Sequence, residues 1–179
     1  SPGRGCVMGV GARFSVIFVG MLLVTTLVLG GCAPGIPKTA VEMTIDRVTV
    51  SSLDYSPTVV LKEKGGQRYL PIAIGIAEAE AIAAEMYGVI PQRPRTHDLL
   101  RSVGAAAGGD LEYILIDDLR EDTFYAKIAL ADGRATMVDS RPSDALALAL
   151  RAKVPIYVEA SVLEKAAISA PQYNSDHTW

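Results

Sequence analysis

Two carboxylates and a guanidinium crowd into the stretch Asp139-Ser140-Arg141-Pro142-Ser143-Asp144. Carboxylates held at strand and helix ends can ligate a divalent cation such as Mg²⁺ or Mn²⁺, which often keeps several waters of its own. Asp139 and Asp144 are the candidate metal ligands here, and the planar fork of Arg141 suits an oxyanion. His97 beside Asp98 forms a second candidate cluster, able to act as general acid or base. The other histidine, His177, lies in the C-terminal tail. Asp117 and Asp118 make a third acidic pair, read as part of a charged turn. Each group also has a plainer role open to it. Asp144 and Asp98 both fall where a first-turn acid steadies a helix dipole, Arg141 can close a local ion pair, and an N-terminal helix position exposes His97. Glu78 and Glu85 read as the wet face of their helix.

The elements that must hold the first cluster are a strand end and a helix start. Met137 and Val138 are strand formers. Pro142 suits the first turn of a helix, where its missing N–H has no partner in any case, and Ser140 or Ser143 can cap. Ala145 to Leu150 alternates strictly between Ala and Leu, a period that by itself fits a strand. High helix propensity, the start signal and the basic last turn of Arg151 and Lys153 favour a helix instead. Having no polar face, it must be buried nearly all round.

The run from Val138 to Arg151 resembles the signature of the bifunctional nuclease family. Two more stretches resemble it in order and spacing: Leu70-Pro71-Ile72-Ala73-Ile74-Gly75 with Glu78-Ala79, and Arg93-Pro94-Arg95-Thr96-His97-Asp98-Leu99-Leu100. The likeness extends from about Val41 to Ala167. It implies cleavage of DNA and RNA with a divalent cation, Mg²⁺ or Mn²⁺, in a protein that forms a homodimer. Phosphodiester hydrolysis needs an activated water and positive charge on the phosphate oxygens. The motif-matched candidates for catalysis are Asp139, Arg141, Asp144, His97 and Asp98. Those for substrate binding are Arg95, Ser143 and Arg151.

The N-terminus reads as an export signal. Phe14 to Leu29 is apolar, Arg4 and Arg13 are the only charges before Cys32, and Leu29-Gly30-Gly31-Cys32 resembles a bacterial lipobox. Residues 1–31 are therefore expected to be a signal peptide, Cys32 the lipidated residue, 32–40 a tether, 41–168 the domain and 169–179 a flexible tail. The protein would then sit outside the cell, lipid-anchored to the bacterial membrane. An uncleaved anchor helix is the alternative, although the run is short for a span of about 20 residues. Both cysteines, Cys6 and Cys32, precede the domain, so it holds no internal disulfide. Without Arg4 and Arg13 the chain has 15 basic and 20 acidic residues. That balance lacks the basic footprint of a tight nucleic-acid binder and leaves room for a carboxylate site. It also keeps open a second class, a non-catalytic, membrane-tethered binding or dimerisation module.

Hydrophobic pattern and turn signals predict strands at 41–50, 58–62, 69–74, 111–116, 123–130, 135–138 and 155–158. Helices are expected over 77–87, from Thr96 as a cap onward, after Pro142, and over 161–167. Leu99, Leu100 and Val103 are expected inward. Shifting the chain by 64 residues sets Asp144 over Glu80 and Val138 over Ile74. This suggests an internal duplication of hairpin, strand and helix, the two helices packing side by side with sheets outside them. The expected class is α+β, duplicated, with mixed sheets around central helices.

Overall fold

A computed structural model describes residues 35–51 and 55–169. Eight strands form one sheet: β1 (Ala40–Val50), β2 (Pro57–Glu63), β3 (Arg68–Ala73), β4 (Leu111–Arg120), β5 (Thr123–Leu130), β6 (Met137–Ser140), β7 (Ile156–Glu159) and β8 (Ile168–Ser169). Their spatial order is β6-β5-β4-β7-β1-β2-β3-β8. Four helices accompany them: α1 (Ile76–Met86), α2 (Thr96–Ala106), α3 (Pro142–Ala152) and α4 (Ala160–Ala166).

The duplication is visible in this order. Strands β1-β2-β3 followed by α1 mirror β4-β5-β6 followed by α3, each an antiparallel meander. β7 lies between the two units, antiparallel to β1 and parallel to β4. The two units therefore make one continuous sheet, with α1 and α3 against it and against each other. The true offset is 66 residues: Pro142 opens α3 as Ile76 opens α1, and Thr123 opens β5 as Pro57 opens β2. This register places Asp144 over Glu78, Leu148 over Ile82 and Ala149 over Ala83. Ala-rich helices match each other cheaply, which is why a shift two residues shorter also looks plausible in the sequence.

The core lies between these helices and the sheet. Ile114, Ile116, Ala126, Val59, Leu61, Leu70 and Ile82 pack against Ala145 through Ala149. All five of those α3 residues are buried, as the lack of a polar face requires. A smaller cluster on the other face of the sheet holds Tyr113, Leu115 and Ala129 against Met137 and Tyr157. The rings of Tyr113 and Tyr157 meet edge to face, centroids 5.7 Å apart.

Three local expectations change. The segment Asp117–Arg120 is not a turn but the end of β4, and the reversal is made by Glu121 and Asp122, at φ 46° and 60°. Two consecutive left-handed residues are what a two-residue hairpin demands. Asp117 and Asp118 are therefore strand residues, paired with Lys127 and Arg120. Thr96 is the first residue of α2 and not its cap, a place taken by Arg95. Finally, Leu99, Leu100 and Val103 are exposed, and His97 is the residue of α2 that is buried. α2 packs by its N-terminal turn onto α3, so the face with helical spacing is not the face that is covered.

Candidate active site at the start of the third helix

Arg141 is the N-cap residue of α3, and Pro142 occupies the first turn. The last residues of β6 deliver the backbone to this corner, and the helix begins because Pro142 is already set in φ and lacks a donor that would go unpaired. Asp144 then falls one turn along, close enough for its carboxylate to fold back onto Arg141. The Arg141 Nε donates to Asp144 Oδ2 at 2.7 Å and its Nη2 to Oδ1 at 3.1 Å. The same Nη2 donates to Glu78 Oε1, at 2.7 Å, in the first turn of α1. Glu78 is no wet-face residue: its side chain is 17% exposed. The duplication explains the pairing, because Glu78 and Asp144 are the same position in the two repeats.

Asp144 has another neighbour on its far side. His97 Nε2 lies 3.2 Å from Asp144 Oδ1. The first turn of α2 carries this imidazole inward, leaving its side chain 11% exposed, against the expectation of an open position. Burial pushes the Asp144 carboxyl up, but hydrogen bonds from Arg141 and His97 outweigh burial and hold it below the ordinary carboxylate range. Hydrogen bonds to Asp144, and next to Glu78, raise the Arg141 guanidinium above its usual value. The result is a chain of contacts, Glu78–Arg141–Asp144–His97, that joins three helices.

Through Arg141 this chain of contacts reaches a cleft of about 400 Å³, lined by Arg141, Pro142, Ser143, Gly75, Thr123 and Asp122; Glu78, Asp144 and His97 stand behind its wall. Free backbone N–H groups at a helix start and a guanidinium make such a place attractive to an anion. Ser143 is buried and lines the cleft.

The other sequence candidates lie elsewhere. Asp139 is exposed on β6. Val138 lines a cavity beside Leu148 of α3, so strand alternation turns Asp139 to the opposite face of the sheet. There it faces Lys127, which is itself paired with Asp117 at 2.6 Å. The expected Asp139–Asp144 pair therefore does not form. Asp98 accepts from the Arg95 backbone N–H at 2.8 Å and from Arg151 Nε at 2.5 Å. The Arg95 backbone bond, with Arg151 beside it, outweighs burial and lowers the Asp98 carboxyl. The Arg95 side chain is exposed. Arg151, expected to bind substrate, is only 4% exposed and also donates to the carbonyls of Ala147, at 2.9 Å, and Ala81, at 3.2 Å. A guanidinium so occupied ties α1, α2 and α3 together and is out of reach of substrate. Cys32 and the leader lie outside the described residues.

A resident metal does not fit this arrangement. Asp139 and Asp144 are on different faces, and Glu78 and Asp144 share a guanidinium where a cation would have to sit. Among the described residues no group of three or more His, Cys, Asp or Glu is placed to hold a metal ion. Nor is any described helix long and apolar enough to cross a membrane.

Fold and site together define a duplicated α+β domain with an acid–guanidinium–imidazole cluster where two related helices begin. The chain belongs to the bifunctional nuclease domain family, whose sequence pattern matches residues 59–171. It is 45% identical over 135 residues to an uncharacterized protein of Mycobacterium tuberculosis, covering 75% of this chain and 81% of that one. It is 29% identical over 138 residues to bifunctional nuclease 1 of Arabidopsis thaliana, covering 69% of this chain and 42% of the plant protein. Against bifunctional nuclease 1 of Oryza sativa subsp. indica the identity is 28% over 105 residues, 56% of this chain and 32% of the other. The chain thus spans less than half the length of these plant nucleases. Family membership supports a nuclease-like, hydrolytic function.

Proposed function

We propose that this domain hydrolyses phosphodiester bonds of DNA and RNA in the cleft at the start of α3. The observation that carries the reading is the sharing of Asp144 Oδ1 by Arg141 and His97 beside an open helix N-terminus. Arg141 spends its Nε and Nη2 on carboxylates, and its Nη1 has no hydrogen-bond partner among the described residues. That group is available to a phosphate oxygen, with the N–H groups around Ser143 beside it. Asp144 fixes the His97 ring, as a carboxylate does for an imidazole that must move a proton. Water attacks phosphorus as one P–O ester bond breaks. His97 takes the proton from water and returns it to the departing oxygen. A divalent cation, Mg²⁺ or Mn²⁺, enters this reading only as an ion carried on the substrate's phosphates, and no step is assigned to it.

The test is cleavage of DNA and RNA strands by the purified chain, with and without Mg²⁺ or Mn²⁺. Cleavage that disappears in Asp144→Asn and in Arg141→Ala supports the site; preparations that never cut, or variants that cut like the parent, refute it. One observation favours the second reading, a non-catalytic binding or dimerisation module: Leu99, Leu100 and Val103 stand exposed on α2. Sedimentation of the chain over a range of concentrations tests whether a homodimer covers them. We keep the extracytoplasmic, Cys32-lipidated location as part of the proposal on the strength of the Leu29–Cys32 pattern. Loss of membrane association in Cys32→Ala is its expected signature.

A further inference from the structure

A second cavity, of about 420 Å³, opens beneath α2 between that helix, α3 and the β5–β6 edge. Its walls are aliphatic: Leu100, Ile128, Leu130, Val138 and Leu148. Two arginines, Arg101 and Arg134, stand at its rim, exposed, their guanidiniums in no hydrogen bond or ion pair with any described side chain. Asp132, also at the rim, is turned inward on its own loop, accepting from Thr136 Oγ1 at 2.5 Å and from the Arg134 backbone N–H at 2.8 Å. The rim therefore presents net positive charge over an apolar slot, in a chain that is acidic as a whole.

Position ties this cavity to the proposed site. Arg101 follows His97 by four residues on α2, and Leu148 follows Asp144 by four on α3. Residues so spaced share a helix face, so the slot begins about 6 Å, a little over one helical turn, beyond the His97–Asp144 contact.

We infer that the slot is a nucleobase subsite of a nucleic-acid strand, an inference that rests on the proposed phosphodiesterase reading and deepens it. A base is flat and apolar on both faces and is flanked by phosphates, which matches an aliphatic slot with a cationic rim. The base enters between Leu100 and Val138 and covers these two exposed side chains, while Arg101 and Arg134 hold the phosphates on either side. Among the described residues that line the slot, Arg101, Asp132 and Arg134 are the polar side chains. In this reading the two arginines serve the phosphates at the rim and Asp132 is held by its own loop, rather than reading a base edge, so the subsite accepts any base. It does so only when the base is unstacked, which selects single strands over duplex.

The test uses the full chain and a probe that needs no catalysis: adenosine 5′-monophosphate, titrated calorimetrically, with ribose 5-phosphate and dodecanoate as comparators. The expected result is saturable binding of the nucleotide, weakened about tenfold by Arg101→Ala or Arg134→Ala, as befits a charge-assisted contact. Val138→Trp, on an exposed edge strand, fills the slot and abolishes binding. Equal affinity for ribose 5-phosphate, binding of dodecanoate alone, or no nucleotide binding at millimolar concentration each overturns the subsite. The two readings separate cleanly. Nucleotide binding without strand cleavage sinks the catalytic proposal and keeps the subsite. Cleavage that is unchanged in Val138→Trp does the reverse.

Discussion

Arg141 and Arg151 sit at opposite ends of one helix and both pair with acids from it or from its neighbours, yet they are different kinds of residue. Arg151 is 4% exposed and its donors go to Asp98 and to two main-chain carbonyls, those of Ala147 and Ala81. Arg141 is 66% exposed, pairs only with carboxylates, and faces a cleft. The same guanidinium is a tie in one place and a contact surface in the other. What separates them is not the presence of a partner but the amount of water left around the pair. Burial makes a broken pair costly, whereas exposure leaves room for an incoming anion to compete.

Removing the tie has the largest expected effect. Arg151→Met removes the buried charge partner of Asp98 and one donor from each of two carbonyls, and is expected to cost about 3 kcal/mol of stability, read as a lower midpoint in urea. Arg141→Ala is expected to change stability by only about 0–1 kcal/mol, since exposed ion pairs contribute little. It should instead lower the rate of strand cleavage by roughly a hundredfold, the scale of losing one charge-stabilising donor. Should the two variants prove equally unstable, the distinction between the ends of α3 collapses.

Acid separates the ends more gently. Asp98 and Asp144 are both held below their ordinary pKa in the folded chain. A depressed carboxylate stabilises the fold above its unfolded value, near pH 4, and that contribution is lost as pH falls through the lower folded value. Unfolding midpoints should therefore drop on acidification below about pH 4. Asp144→Asn should remove part of that drop, on the order of 1 kcal/mol after allowing for partial exposure, and Asp98→Asn another part. A midpoint as steep in the double variant as in the parent would mean that other groups carry the acid sensitivity.

Much of this could be read from the residues. Pro142, the Ala-Leu run and the basic last turn identify α3 and its complete burial, and hairpin signals place most of the strands. What the chain conceals is partnership at a distance. Asp139 and Asp144 are near in sequence, but strand alternation sends Asp139 through the sheet. Glu78 looks like a solvated helix acid until the 66-residue register makes it the counterpart of Asp144. The helical stripe Leu99–Leu100–Val103 marks an apolar face, and nothing local states whether that face meets the core or a later partner. His97 is buried because α2 docks by its first turn, a matter of where Pro91 to Arg95 leads the chain.

The smallest effect concerns the rim of the Arg141 cleft, far from Arg151. Glu121 and Asp122 both hold left-handed backbone without being glycine or asparagine, a conformation that costs about 1 kcal/mol for an ordinary residue. Replacing the pair by Asn-Gly supplies the residues a tight hairpin prefers. Glycine loses more entropy on folding, which takes back part of the gain. The net expectation is stabilisation by about 1 kcal/mol, seen as a rise in Tm. Cleavage should stay unchanged if the tip only closes the β4–β5 hairpin. Because Asp122 lines the cleft, removing its charge tests the rim directly: a higher affinity for strands in Asp122→Gly alone would show that this acid opposes the phosphate that Arg141 attracts.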